Sequence, residues 1–196
     1  MKLIAQVKLQ PTIEQSKSLR DTMRRVNEAC NYISSVAWKS KVFGQYRVQK
    51  IVYRDVREKF GLSAQLAVRA IAKVADAYKL DKKRKRTFKP FGAITFDDRI
   101  LSWKLDTSVV SINTIGGRLK VPFVCGEKQR ELLKSRQGES DLILFRDNFF
   151  ISATCNIEEP IETEGDDVLG IDMGVVNLAV DSDGTVYSSE TLNRVR

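Results

Sequence analysis

The spacing of apolar residues changes period twice along the 196-residue chain, and those changes constrain its fold more than any other feature. Residues 2–9 alternate, with Leu3, Ala5, Val7 and Leu9 on one side and Lys2, Ile4, Gln6 and Lys8 on the other, the pattern of a half-buried strand. Beyond Pro11 the apolar step lengthens to three and four. Leu19, Met23, Val26, Cys30, Ile33 and Ala37 predict one long amphipathic helix to about Ser40, opened by the capping-box pattern Thr12-Ile13-Glu14-Gln15. After Gly44 a second helix runs from about Gln45 to Phe60, with Val48, Ile51, Val52 and Val56 inward, and stops at Gly61. Ser63 caps a third, with Leu66, Ala70, Val74 and Tyr78 inward.

From Phe88 the period returns to two. Ala93–Phe96, Ile100–Leu105, Val109–Thr114 and Arg118–Phe123 predict short strands, the last two joined by a turn at Gly116-Gly117. A short helix over 127–135 follows, then a hairpin of Leu142–Arg146 and Phe149–Ile157 turning at Asp147-Asn148. The acidic stretch 158–167 is expected to be a linker. Val168-Leu169-Gly170-Ile171-Asp172 predicts a buried strand, Asn177–Asp181 its partner, and Asp183-Gly184 the turn to Thr185–Ser188. The layout is strand, helical segment, β-rich block and the opening of a second sheet, an α+β chain.

Charge follows the same division. Residues 1–90 carry 22 basic and 7 acidic side chains, residues 91–164 carry 9 and 12, and residues 165–196 carry 2 and 6, for an overall +8. A basic first half suits a polyanion, and an acidic end suits cations. The absence of His excludes Ser-His-Asp and Cys-His triads and His-ligated metals together. Cys30, Cys125 and Cys155 are widely spaced and odd in number, so neither a disulfide framework nor a zinc site is expected. No stretch approaches the roughly 20 apolar residues of a membrane span. The expectation is a cytoplasmic, nucleoid-associated protein without a membrane partner.

The segment Gly170-Ile171-Asp172-Met173-Gly174, continuing to Asp181, places a carboxylate inside an apolar strand, which costs several kcal/mol if it stays charged and unpartnered. Two explanations remain open on the pattern alone. In a ribonuclease-H-like sheet such an Asp bridges divalent cations; in an ordinary strand-turn-strand it bonds nearby amides. Asp-x-Gly before a hairpin also opens phosphate-binding ATPase domains, where the turn's amides meet nucleotide phosphates.

Several segments point further: Pro11-Thr12-Ile13-Glu14-Gln15, Asn27-Glu28-Ala29-Cys30-Asn31-Tyr32, Leu62-Ser63-Ala64-Gln65-Leu66-Ala67, Val74-Ala75-Asp76-Ala77-Tyr78-Lys79, 92–99, 117–123 and 170–181. In order, and over nearly the entire chain, they resemble the amino-terminal half of the TnpB family, transposon-encoded RNA-guided DNA nucleases related to type V CRISPR effectors. The resemblance implies a wedge-type β-barrel from 1–10 and 90–160, a helical recognition insert over 11–89, and the start of an RNase H-like (RuvC) nuclease domain over 165–196. It implies guide RNA and double-stranded target DNA as partners. It also implies Asp172 as the first catalytic, Mg²⁺-binding carboxylate, with the other two acids and a Cys-x-x-Cys zinc element beyond Arg196. The chain alone is therefore expected to bind without cutting. A non-catalytic RNA- or DNA-binding regulator derived from such a nuclease is the alternative, and an ATPase fragment a more distant one.

Candidate contacts come from the basic half. Gln65, Arg69 and Lys73 stand four residues apart on one helix face, and Lys82-Lys83-Arg84-Lys85-Arg86 follows directly. Tyr46 and Tyr53 sit among Arg47, Lys50, Arg54 and Arg57, where base stacking and phosphate pairing combine. A merely solvated face is the alternative for the first row, and a disordered basic loop for the second. Trp38 and Trp103 are expected in the core.

Overall fold

The computed structural model describes residues 1–159, 169–174 and 177–189. The chain divides into two compact units, Met1–Glu158 and Glu159–Arg196. In chain order the first contains β1 (Lys2–Leu9), α1 (Ile13–Ser40), α2 (Gln45–Phe60), α3 (Ala64–Leu80), β2 (Ile94–Phe96), β3 (Leu101–Lys104), β4 (Val109–Thr114), β5 (Gly117–Val124), α4 (Glu127–Lys134), β6 (Arg136–Phe145) and β7 (Asn148–Asn156).

These strands form one seven-stranded antiparallel sheet in the order β2-β6-β7-β1-β5-β4-β3. Its two outermost strands, β2 and β3, are consecutive in sequence and joined only by residues 97–100. So short a link forces the sheet to curl until its edges nearly meet, which makes it barrel-like. β1 holds the middle, pairing with β7 from Lys2 to Lys8 and with β5 at Lys8 and Leu9. Its alternation plays out as expected, with Ala5, Val7 and Leu9 buried and Ile4 outside at 62% exposure.

Both hairpin turns fall one residue earlier than the composition suggests. Thr114 pairs with Gly117, which makes Ile115-Gly116 the turn. Phe145 pairs with Asn148, so Arg146 and Asp147 turn the second hairpin, both at positive φ (45° and 63°) as a two-residue primed turn requires. The inward residues decide: Leu142 must face Ile151, and a slip by one would expose both. β6 also begins at Arg136, well before Leu142, because a register shift between Arg136 and Ser140 absorbs a polar stretch that shows no alternation.

α1 is long enough, about 42 Å at 1.5 Å per residue, to serve two layers. Its amino-terminal cap is reciprocal: Gln15 N–H donates to Thr12 Oγ1 (3.2 Å) and Thr12 N–H to Gln15 Oε1 (3.1 Å). The first half lies on the β4–β5 hairpin, where Ser18 Oγ meets Thr114 Oγ1 at 3.0 Å and the Ile115 N–H donates to Thr22 Oγ1 at 3.2 Å. The second half packs against α2 and α3, and one apolar core runs from the sheet into the helices. Val48, Val52 and Val56 of α2 enter it. Ile51, expected inward, is 49% exposed, since the buried stripe of α2 is a single row at every fourth residue and Ile51 lies a third of a turn away.

A polar tether joins the helices to the sheet. The buried Asn27 amide nitrogen donates to Met23 O (2.9 Å), Pro90 O (3.2 Å) and Gly92 O (2.9 Å), and its oxygen accepts from Lys73 Nζ (2.7 Å). One turn on, Asn31 clasps Phe88 from both sides, donating to its carbonyl at 2.9 Å and accepting from its N–H at 2.8 Å.

In the second unit, β8 (Ile171–Met173), β9 (Asn177–Asp181) and β10 (Val186–Ser188) form an antiparallel sheet in the order β10-β9-β8. β8 is not the buried strand its apolar residues predict: Ile171 is 59% and Met173 74% exposed, because nothing among the described residues covers its face. Val168, most of the acidic linker and the 175–176 turn, on which the ATPase alternative depends, lie outside the described residues.

Candidate nucleic-acid interface

Because the buried row of α2 is so narrow, most of the helix circumference is left to solvent. Tyr46, Lys50, Tyr53, Arg54 and Arg57 follow one another at steps of four, three, one and three, which places them on one helix face. That face looks outward. Tyr46 is 80% exposed, Lys50, Arg54 and Arg57 are exposed, and Tyr53 is half-buried with the Arg57 guanidinium 5.9 Å from its ring centroid. From Tyr46 to Arg57 the face runs about 16 Å. Two depressions lie along it, of about 620 Å³ (from Tyr46 to Asp55) and about 410 Å³ (from Tyr53 to Glu58).

The cations of this face keep their charge available. Asp55, one of the two acids of α2, accepts from Tyr32 Oη at 2.6 Å and from Lys59 Nζ at 3.4 Å. The Tyr32 hydroxyl, followed by Lys59, holds the Asp55 carboxyl below its ordinary pKa, and the same trio raises Lys59. Lys50, Arg54 and Arg57 form no ion pair among the described residues.

The basic run after α3 is an ordered bend anchored at both ends. Asp81 Oδ1 accepts the Lys83 N–H at 2.7 Å, and Asp81 pairs with Arg86 at 3.1 Å. Arg86 is further pinned through its backbone: its N–H donates to Tyr78 Oη (3.2 Å) and its carbonyl accepts from Ser34 Oγ (2.6 Å). Arg86 is therefore an anchor, while Lys82, Lys83, Arg84 and Lys85 are exposed and without ion pairs among the described residues.

The row Gln65, Arg69 and Lys73 does align on α3 but is turned toward the sheet. Gln65 donates to Asp97, Arg69 pairs with Glu139 of β6, and Lys73 Nζ donates to Asn27 Oδ1 and to Ala93 O (2.6 Å) with the Phe88 ring 5.3 Å away. Burial lowers the Lys73 pKa. Long polar side chains spaced at four residues serve here as struts between helix and sheet, which corrects their assignment as an outward contact surface.

Asp172 pairs in register with Val180 and projects from an exposed strand. It lines a depression of about 580 Å³ with Gly170, Ile171, Val180, Asp181 and Ser182. Asp181 is committed to its own turn: Oδ1 accepts the N–H of Thr185 (2.8 Å) and of Asp183 (3.1 Å), and Oδ2 accepts from Tyr187 Oη (3.2 Å). The Thr185 amide, foremost, holds the Asp181 carboxyl below its ordinary pKa. Among the described residues no three His, Cys, Asp or Glu side chains come together as a metal site. One exposed carboxylate does not fit a pair of Mg²⁺ ions.

The tethers Asn27 and Asn31 were not visible as such in the sequence, although an Asn between Met23 and Cys30 on an otherwise apolar stripe is a signal of a buried polar contact. Among the described residues no helix is long and apolar enough to cross a membrane.

No protein-family model and no curated protein matches the chain. Among solved structures it is similar to a chain of a cryo-EM CRISPR-Cas12f ternary complex, at 12% identity and a TM-score of 0.43 over 91% of this chain and 50% of that one. The chain thus spans half the length of the structure it matches.

Proposed function

We propose that the chain is the nucleic-acid-binding portion of an RNA-guided, transposon-associated DNA endonuclease of the TnpB type, with a wedge-type barrel and a helical recognition layer that hold guide RNA and target-adjacent duplex DNA. The observation that supports this best is the outward face of α2, where unpaired cations and an exposed tyrosine stand in line. Cations so placed gain affinity by releasing counterions from phosphates, and Tyr46 adds a stacking surface. In such nucleases base pairing reads the target while protein reads backbone shape and a short duplex motif. Binding without cleavage is proposed for this chain, because the described residues around Asp172 supply one free carboxylate and not a set.

Fluorescence anisotropy with a labelled hairpin RNA and with duplex DNA, over a salt series and with Mg²⁺ added, tests both parts. Salt-sensitive binding with intact nucleic acid is expected. Absence of binding even in dilute buffer refutes the nucleic-acid role, and Mg²⁺-dependent cutting refutes the non-cleaving one.

A further inference from the structure

The net charge of the molecule is gathered at one end of its helical layer. α2 folds back along α1 and α3 back along α2, through links of only a few residues, so the end of α1, the start of α2 and the end of α3 converge. An aromatic plug fixes the convergence: the Tyr78 ring lies 4.5 Å from Phe43 and 6.5 Å from Trp38, and its hydroxyl meets Ser34 Oγ at 2.9 Å. Segments 39–50 and 76–86, which meet there, carry ten basic and two acidic side chains, a net +8 equal to that of the whole chain. All other residues together are neutral. Both acids are tied down, Asp76 to Lys79 at 2.7 Å and Asp81 to Arg86 at 3.1 Å. Lys39, Lys41 and Arg47 are exposed and, like Lys82–Lys85, form no ion pair among the described residues.

Charge at this density repels itself unless a polyanion sits on it. The shape of the patch says which kind. Packed helix axes lie about 8–10 Å apart, so the α1–α2 corner and the loop that follows α3 present two separate groups of cations on neighbouring elements. Phosphate backbones bordering a groove of a double helix are about 6–12 Å apart. Tyr46 aside, the rings here are not offered for stacking: Tyr78 is fully buried and Lys41 Nζ covers Trp38 at 3.7 Å. Ten cations around a single exposed ring, Tyr46, suit phosphate backbone more than a run of unpaired bases.

Building on the nucleic-acid role above, we propose that this end of the helical layer seats the phosphate backbone of a double helix, with Lys39, Lys41 and Arg47 as contacts beyond those of loop 82–85. The test uses the full chain, a triple variant Lys39→Gln/Lys41→Gln/Arg47→Gln, and a control Lys104→Gln/Lys120→Gln/Lys128→Gln on exposed sheet and α4 positions. Each is titrated by anisotropy with a hairpin RNA, a DNA duplex of the same stem sequence and the unpaired strand, across a salt series. The first triple is expected to flatten the slope of log K against log salt by about 2 to 3 for a double helix, with its melting temperature kept, while the control leaves the slope unchanged. Flattening with RNA alone, with DNA alone or with both identifies the strand type seated there. The proposal is overturned if wild type binds but the two triples behave alike, or if binding to the unpaired strand falls just as much. Failure of wild type to bind at all overturns the nucleic-acid role itself, a separate and recognisable result.

Discussion

Replacing Asn27 with Ala should be the most damaging single polar truncation in the first unit. The residue is fully buried, and its amide joins α1 to Pro90 and Gly92 of the segment entering β2 while receiving Lys73 from α3. Truncation leaves the Gly92 and Pro90 carbonyls without their donor and takes one of two acceptors from a half-buried ammonium. Each orphaned buried group costs about 1–3 kcal/mol. Lys73 keeps Ala93 O and the Phe88 ring, and Met23 O remains within its helix, which limits the total to about 2–4 kcal/mol. At about 2–4 °C per kcal/mol for a chain of this size, the melting transition should fall by roughly 4–16 °C. Urea and thermal melts followed by circular dichroism measure it, and a double-mutant cycle with Lys73→Met should return a coupling of about 0.5–3 kcal/mol. A loss under about 1 kcal/mol with no coupling would falsify the idea that this tether holds the helices to the sheet. RNA affinity below the transition should be unchanged, because the basic end of the helical layer is held separately by the Trp38, Phe43 and Tyr78 plug.

Four further outcomes are expected. Replacing Lys82, Lys83, Arg84 and Lys85 with Ala should weaken binding to all nucleic-acid sequences alike and flatten the salt slope by about 3, measured by anisotropy; unchanged slope would remove the loop from the interface. Burial pushes the Cys30 thiol up to about 12, so the folded state keeps a proton that the unfolded chain releases above about pH 8.5. Its contribution is complete below that pH and is lost as pH rises toward 12; Cys30→Ala should flatten the alkaline decline between pH 8 and 10.5 in urea melts, and parallel profiles would refute it. Burial lowers Lys73 and gives the opposite slope, and because the thiol and the ammonium act on one another, the difference between the two proteins reports the thiol together with its effect on Lys73. Asp172→Ala should shift the melting transition by no more than about 0.5 kcal/mol, since the side chain is exposed and without a partner among the described residues. Asp181→Ala should speed hydrogen exchange at the Thr185 and Asp183 amides; in wild type that protection is complete above about pH 3.9 and fades as pH falls through the depressed value of the Asp181 carboxyl.

Local rules were enough for the helices of the first unit. The capping box at Thr12, the break at Gly44, the stop at Gly61 and the cap at Ser63 all act within one turn of chain, and the helices run between those marks. That Tyr46, Lys50, Tyr53, Arg54 and Arg57 share one face of α2 was legible for the same reason, because spacing alone sets which residues share a helix face. Alignment says nothing, however, of what stands opposite. Gln65, Arg69 and Lys73 share a face as surely as Tyr46, Lys50 and Arg57, and only the sheet packed against α3 turns the first row inward while the second stays in solvent.

Sequence by itself determined the succession of elements, the capped and broken helices, the uneven charge and the want of any histidine-based chemistry, since each depends on neighbours in the chain. Tertiary structure alone decided that β2 and β3 curl together at the rim of one sheet, that both hairpins turn a residue early, that Asp181 serves its turn and that β8 stands exposed. It also brought residues 39–50 and 76–86 to one place. Contacts across dozens of residues are chosen by which surfaces exclude water together, and no local pattern records that competition.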